Sequence, residues 1–591
     1  MDEPPHVRAV PRPCHPCCSS GARRTPLDRD RCAVRPPPPA RRGDSARFPV
    51  HSLHQGSGAM RVLLLYANPH LAIPVSPYGL DTINTALQAR CGPVEVLTSN
   101  PFLESVEPEA HLGAVLAYFE PDVIAISIRN IDNAIVALPG EPPPGGSPID
   151  IVAYAPAIRE LTDVIKRWRA DALCVAGGSG FTACPAEFLR YLDLDYGLIG
   201  PAESAFAQFV EALRAPYSKT AEQIFPELPG AIFRDKGVFR RTPSRPTLGT
   251  EISAPPRLAP EYQLLYRLRH IPVAVRTKAG CPLRCAYCTD PVNQLRSDRR
   301  SVGNVVADLR HHVEDHGLRR FHIADAELNL PYEDHLRRVC AGIRDSGLAE
   351  QISWRGYFNI TPFSDELIDA LVAAGCDAPS FAVDSFHELG LRAHQKNFRA
   401  RHVHDVLNRL LSRAPGIIPE VCLLFGGPGE TMSGIEANIH WMLRYAERGV
   451  RIAYSCGLRV YPNTPLGRQT LGTAHVYLPS GPLGGRGGRR FTPDELLRET
   501  VVHCEPLSPR ELAHYLEQRV GGHPNIATFT DGQWPEARHS AELRLFNVGV
   551  HRMAYGKFDA ARDHLYAALQ KNPELSVAHT AIEILDGLNS N

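Results

Sequence analysis

The chain has 591 residues, too many for one hydrophobic core, so about two to four domains are expected. Lysine plus arginine and aspartate plus glutamate each number 64, which removes the electropositive face that nucleic-acid binding needs. No apolar run approaches the roughly 18 residues of a membrane helix, and 43% hydrophobic with 22% charged residues is an ordinary globular composition.

Residues 1–59 carry "PRPCHPCCSSGARR" and "RPPPPARR", with no apolar period. Such a segment cannot bury enough surface to offset its ordering entropy. Cys14, Cys17 and Cys18 lie there without a folded context for metal ligation. At Met60 the character changes to "MRVLLLYANP", a buried parallel strand. The expectation is that Met60 is the true start and the leader a disordered or spurious extension.

Residues 60–245 alternate strand and helix. Strands are expected at "RVLLLYANP", "VEVLTS", "DVIAISI", "ALCVAGG" and "YGLIG". Helices are expected at "GLDTINTALQARC", "HLGAVLAYFEP", "APAIRELTDVIKRWRA", "PAEFLRYL" and "ESAFAQFVEAL". This alternation specifies a parallel sheet covered on both faces, with ligands at the strand C-termini. The loops there run from Asn68 to Gly79, Arg129 to Asn133, Gly177 to Thr182, and Gly200 to Glu203.

Residues 246–267 read as a linker with several prolines. Over residues 268–480 six βα-type units follow: "PVAVRTK", "RRFHIADAE", "ISWRGYFN", "APSFAVDS", "EVCLLFGG" and "IAYSCGLRV". They predict a barrel or an open three-quarter barrel. Residues 481–591 begin with a flexible "GPLGGRGGRR" loop and continue as a tail read as helical. Gly556, Ala560, Ala561, Ala567, Ala568 and Pro573 give its end the look of one to one and a half tetratricopeptide units. A lone unit cannot form a solenoid, so packing on the barrel is expected, with a protein contact as the weaker reading.

Most of the 15 cysteines are scattered singly, in no paired framework, and no signal peptide is visible. A reducing cytoplasmic setting is expected. Cys281, Cys285 and Cys288 are different: "RTKAGCPLRCAYCTDP" places them on the loop leaving the first barrel strand. A structural zinc site wants a fourth ligand at matching spacing, and none is nearby. Three thiolates suit a 4Fe–4S cluster with one iron left open to a small molecule.

These residues resemble the radical S-adenosylmethionine superfamily, whose aromatic residue before the third cysteine matches Tyr287. The resemblance implies that the open iron is chelated by S-adenosylmethionine, with Tyr287 near the adenine. "HIADAELN" resembles the acidic second-strand end, and implies that Asp325, Glu327 and Asn329 face the cofactor. "FAVDS" followed by Lys396 resembles the segment handling ribose and carboxylate, which assigns Asp384, Ser385 and Lys396. "LLFGGPGET" and "GLRVYPNTPL" resemble the fifth-strand turn and the sixth-strand adenine contact.

A Rossmann-like domain directly before such a barrel resembles the cobalamin-binding class of that superfamily. The motifs are "SPYGL", "PDVIAISIRN", "AGGSGFTACP" and "GPAES". Gly177, Gly178 and Gly180 would let backbone approach the corrin, and Gly200 and Glu203 echo a family turn from which Pro201 and Ala202 depart. No D-x-H-x-x-G motif is present, and His70 lacks its flanking residues. The loop after the third strand instead puts Arg129, Asn130 and Asp132 at the ligand edge. This resembles the group typified by tryptophan 2-C-methyltransferases, and implies that Arg129 sits under the cobalt without ligating it. The plainer alternative pairs Arg129 with Asp132.

The fold implied is α/β: a Rossmann-like cobalamin-binding domain, a partial (β/α)6 radical SAM barrel and a small helical tail. The function implied is cobalamin-dependent, class B-like methyl transfer from S-adenosylmethionine, through methylcobalamin, to a carbon of a small or peptide-derived specialised metabolite. The step is radical or polar. Tyr357 and Tyr461 are the candidate acid/base groups. An external electron donor such as flavodoxin or ferredoxin is implied, with no nucleic acid and no membrane. Alternatives are a cobalamin-dependent cyclase or rearrangement enzyme without net methylation, and a non-catalytic iron–sulfur sensor.

Overall fold

The computed structural model describes residues 59–69, 75–134, 136–137, 149–215, 219–243, 258–289, 298–471, 474–479, 481–482, 493–528 and 540–589. The leader with Cys14, Cys17 and Cys18, His70, residues 246–257 and residues 483–490 lie outside the described residues.

The front sheet begins with β1 (Met60–Tyr66), whose Val62, Leu63, Leu64 and Leu65 are fully buried. Such an unbroken apolar strand is what a parallel sheet with helices on both faces requires. β2 (Val94–Ser99) and β3 (Val123–Ser127) flank it, followed by β4 (Leu173–Gly177), β5 (Tyr196–Leu198), β6 (Ala231–Asp235) and β7 (Val238–Arg241), in the order β2-β1-β3-β4-β5-β6-β7. The first five are parallel, with Leu64 beside both Thr98 and Ala125. β6 and β7 add an antiparallel hairpin that the strand–helix alternation did not suggest. Its turn places Lys236 and Gly237 at φ 49° and 82°, the left-handed pair of a tight hairpin.

The second sheet joins Val273–Val275, Arg320–Ile323, Ser353–Phe358, Cys376–Asp384, Glu420–Phe425, Arg451–Cys456 and Ile526–Thr528, each hydrogen-bonded to its neighbour in that order and all parallel. The six expected units are present in sequence. Its two edge strands, Val273–Val275 and Ile526–Thr528, are not paired with each other or with a further strand among the described residues, so the barrel is open there.

Three features depart from the sequence reading. Pro260–Arg269, which takes up the end of the expected linker and two residues beyond it, is a helix; Tyr262, Leu265 and Tyr266 are buried in the core shared by the barrel and tail. "IAYSCGLRV" breaks at Gly457, where φ is 97°. Leu458–Val460 then joins a small separate sheet with Val476–Leu478, Gly481–Pro482 and Val501–His503. The tail is therefore not all helix: Val501–His503 is a central strand of the small sheet and Ile526–Thr528 extends the barrel sheet.

The tail ends in three helices, Ser540–Ala554, Phe558–Lys571 and Ser576–Asn589, the shape of one and a half tetratricopeptide units. Leu543, Phe546, Val550, Leu565, Ala578 and Leu585 join the barrel's core. Among the described residues no helix is long and apolar enough to cross a membrane.

Candidate functional site

The cysteine loop follows Lys278–Ala279 and is anchored by the end of the second barrel strand. Asp325 accepts from the Thr277 backbone N–H at 3.0 Å, from the Thr277 hydroxyl and from the Lys278 N–H at 3.1 Å. Lys278 Nζ donates to the Ala326 carbonyl at 2.6 Å. Burial lowers the Lys278 pKa, against the pull of Asp325 and Cys281. Asp325 and Lys278 thus shape the loop from beneath. Asn329 does similar work one turn on: its amide donates to the carbonyls of Asn359 (2.8 Å) and Pro362, and its Oδ1 accepts from Asn359 N.

Cys281 and Cys285 are buried and Cys288 is half-buried. The Ala286 N–H bonds the His394 carbonyl at 3.0 Å, and the Leu466 N–H bonds the Ala286 carbonyl at 2.8 Å, which stitches the loop across the barrel mouth. Burial pushes the Cys285 thiol up to about 11, the direction of a thiol that stays neutral unless a cation joins it. Among the described residues no trio of His, Cys, Asp or Glu side chains stands closed on a metal-sized point, these three thiols included. The donor set itself, three thiols on one loop, fits an iron–sulfur cluster with one open iron.

Across the mouth, Lys396 Nζ lies 3.0 Å from Asp384 Oδ2, and Tyr287 donates its hydroxyl to the same carboxylate at 2.7 Å. Burial opposes the Lys396 charge, but Asp384, Cys285 and Glu327 outweigh it and its pKa is raised. Glu327 sits at φ 53°, with its Oε2 buried and unpartnered among the described residues. Burial raises its pKa, while Lys396 pulls it down and Asp384 pushes it up. An orphaned buried carboxylate beside a lysine fits a small zwitterionic ligand with a cationic group. Ser385 is enclosed and accepts from the His387 N–H at 3.0 Å.

A cavity of about 460 Å³ lies where the C-terminal edges of the two sheets face each other. Tyr66, Tyr78, Arg129, Gly177, Gly178, Gly200 and Glu203 line it from the front sheet, and Ala274, Arg276, Lys278, Gly280 and Asp325 from the barrel. Glu203 opens its helix and accepts from the Thr82 hydroxyl at 3.1 Å. Gly200, at φ 79°, donates its N–H to Thr182 Oγ1 at 3.0 Å.

The glycines of the fourth-strand loop divide. A Cβ on Gly177 would meet only the Leu198 carbonyl, at 3.7 Å. One on Gly178 would stand 2.5 Å from the Ile128 carbonyl, and one on Gly180 3.0 Å from that of Arg129. Gly178 and Gly180 therefore serve a close approach of two backbone segments, and Gly178 also lines the cavity. Gly180 does not line the cavity.

Arg129 and Asp132 do not pair. Arg129 donates to Asn130 Oδ1 at 3.2 Å. The Asp132 carboxylate is taken by Arg459 (2.9 Å), Tyr461 (2.9 Å) and Thr500 (3.3 Å). Burial, with Asp132 adding to it, raises the Tyr461 pKa well above the usual phenol value. Tyr461 is thus a fixed donor to a buried carboxylate and not a free acid/base group.

Tyr357 remains in play. It alternates with buried Gly356 and Phe358 on its strand, so it faces the barrel interior, 5.2 Å ring to ring from His322. Burial raises the Tyr357 pKa, and burial with Arg355 and Arg129 lowers that of His322 to about 4. His322 and Arg459 escaped the sequence reading. Their signal was a polar side chain flanked on its strand by two apolar neighbours, Phe321 and Ile323 or Leu458 and Val460.

Residues 275–442 match the radical SAM superfamily. The chain is 24% identical over 456 residues to a tryptophan 2-C-methyltransferase of Streptomyces laurentii, covering 66% of this chain and 71% of that enzyme. The radical S-adenosylmethionine methyltransferase TsrM from Kitasatospora setae, solved with cobalamin and a [4Fe-4S] cluster bound, superposes with a TM-score of 0.65 at 21% identity, covering 84% of this chain and all (100%) of that one. The cobalamin-dependent S-adenosylmethionine radical enzyme OxsB superposes with a TM-score of 0.58 at 14% identity, covering 90% and 76%. The two structural likenesses show the fold: a helix-covered, mostly parallel front sheet followed by an open parallel barrel.

Proposed function

We propose that this chain, whose residues 275–442 form a radical SAM domain, transfers a methyl group from S-adenosylmethionine to a carbon of a small or peptide-derived metabolite, with a 4Fe–4S cluster and cobalamin as cofactors. Cys281, Cys285 and Cys288 would hold the cluster. Tyr287, Glu327, Asp384 and Lys396 would surround S-adenosylmethionine, and Arg129, Asn130, Gly177, Gly200 and Glu203 the corrin. Bound there, cobalamin would supply a carrier able to take up a methyl group and pass it to an acceptor. The protein's part is to fix both partners of that carrier in one enclosed space.

The observation that carries this reading is a cavity built from both sheets, with Arg129 from one and Lys278 from the other on its walls. Tyr357 and His322 lie in the barrel interior, where a substrate could reach the same space. The tryptophan 2-C-methyltransferase supports an electron-rich metabolite carbon as the acceptor. An external one-electron donor would keep the cofactors in their active states, and the tail would serve the barrel core, with a partner protein as a further use.

Anaerobic reconstitution tests it. Iron, sulfide and cobalt should bind the same chain, and S-adenosylhomocysteine should form with a methylated product. Zinc in place of iron, or no bound corrin, would overturn the reading. Formation of 5′-deoxyadenosine without S-adenosylhomocysteine would favour rearrangement chemistry instead.

A further inference from the structure

The loop that leaves β3 is held at its start, at Asp132, and along residues 152–154, where the Ile131 carbonyl accepts from the Tyr154 N–H at 2.8 Å and the Asn133 N–H donates to the Val152 carbonyl at 3.1 Å. At its start, the Gly180 N–H bonds the Ile128 carbonyl at 2.9 Å and Ser179 Oγ bonds the Arg129 carbonyl at 2.8 Å. Further along, Asp132 has a fully enclosed side chain (0% exposed). Its carboxylate accepts from Arg459 Nη1, Tyr461 Oη and Thr500 Oγ1, residues 327 to 368 positions away, and from the loop's own Ala134 N–H at 2.8 Å. A carboxylate so deeply buried is tolerated only when paired and fully hydrogen-bonded. Three residues before it, Arg129 reaches the cavity, and its guanidinium pairs with no carboxylate among the described residues.

We propose that Asp132 is a positioning residue: it ties the Arg129 loop to the segment after the sixth barrel strand, and so sets where the Arg129 guanidinium stands in the cavity between the sheets. The inference rests on the reading of that cavity as the cobalamin site. The interface has other polar bridges, such as Arg510 Nη2 to Asp150 Oδ1 at 2.9 Å. Asp150 and Arg510 do not line the cavity. Asp132 is distinguished by its short tether to a cation that does. Its partners Arg459 and Tyr461 belong to the small separate sheet and the turn that follows its strand, so the loop takes its place from that segment and not from the front sheet alone.

The test uses the full chain reconstituted with cluster and cobalamin. Asp132→Asn keeps the size of the side chain and removes the charge that binds Arg459. It should retain cobalamin and iron, yet change the electron paramagnetic resonance spectrum of the reduced, Co(II) cofactor. S-adenosylhomocysteine formation should fall by roughly tenfold or more, as for a misplaced binding group. Arg510→Ala, which cuts a bridge across the same interface, should leave the spectrum unchanged. A spectrum of Asp132→Asn that overlays the wild type, or an equal shift in Arg510→Ala, overturns the proposal. Should Asp132→Asn fail to fold, Tyr461→Phe carries the test, because it leaves the Asp132–Arg459 pair intact and removes one bond. A shift from the wild-type spectrum is expected there, and none overturns the idea. A wild type that binds no cobalamin would sink the reading of the cavity itself, a result plainly different from a silent Asp132 variant.

Discussion

Lys396 Nζ stands 3.0 Å from Asp384 Oδ2, with 1% and 2% of the two side chains exposed. Tyr287, next to the third cysteine, donates to the same carboxylate, so one buried pair joins the fourth barrel strand to the cluster loop. Breaking a buried pair leaves an uncompensated charge and costs about 3–5 kcal/mol. Asp384→Asn should therefore lower the unfolding temperature and weaken S-adenosylmethionine binding together. Calorimetry and equilibrium dialysis with the labelled cofactor measure the two effects. Normal stability with normal binding would show that the pair is incidental.

Single replacement of Cys281, Cys285 or Cys288 by Ala removes one of three thiols from the loop. Iron content and the visible absorption of the cluster should collapse in each variant, while cobalamin stays bound by the front sheet. Loss of corrin in all three variants would mean that the two cofactors do not occupy separate walls of the cavity.

Gly177 and Gly178 are neighbours with opposite constraints. Gly178 has φ 101° and no room for a Cβ against the Ile128 carbonyl, whereas Gly177 has room. Gly178→Ala should cost roughly 1–3 kcal/mol, the range for strained backbone. Gly177→Ala should fold with near wild-type stability and weaken cobalamin binding, since that residue lines the cavity. Urea titration and corrin absorbance after desalting separate them. Equal stability of the two variants would contradict the backbone contact at Ile128.

The alternating strands and helices of both sheets were legible because each apolar run is buried on two faces and each helix covers it. The cysteine loop was legible because three thiols at that spacing suit few structures. What the chain hid depends on distant partners. The β6–β7 hairpin was marked only by a Lys-Gly turn. The helix Pro260–Arg269 lay in a proline-rich stretch, although its Pro260 sits in the first turn, where proline is at home. The strands Val501–His503 and Ile526–Thr528 are three residues each: the first lies between Leu458–Val460 and Val476–Leu478, and the second pairs with the edge offered by Arg451–Cys456. Tyr461 read as a reactive phenol because nothing local reveals that a carboxylate 329 positions earlier occupies it.

Glu261 offers a pH signature at the junction of tail and barrel. It is 7% exposed and accepts from the Tyr555 hydroxyl at 2.8 Å. Burial raises its pKa from 4.5 to about 7, with Glu104 pushing the same way. A group whose pKa is higher in the folded state contributes stability that is complete below the unfolded value and disappears as pH rises through the folded one. Stability from Glu261 should thus decline between about pH 4.5 and 7, by roughly 3 kcal/mol if the full difference is realised. Glu430, also raised to about 7 by burial, acts in the same window. Glu261→Gln can still accept from Tyr555 but cannot ionise, so its stability should fall less over that window and should exceed the wild type near pH 8. Urea unfolding at a series of pH values reads this directly. Parallel wild-type and variant curves would mean that Glu261 is already solvated, and that the tail does not seal this edge of the core.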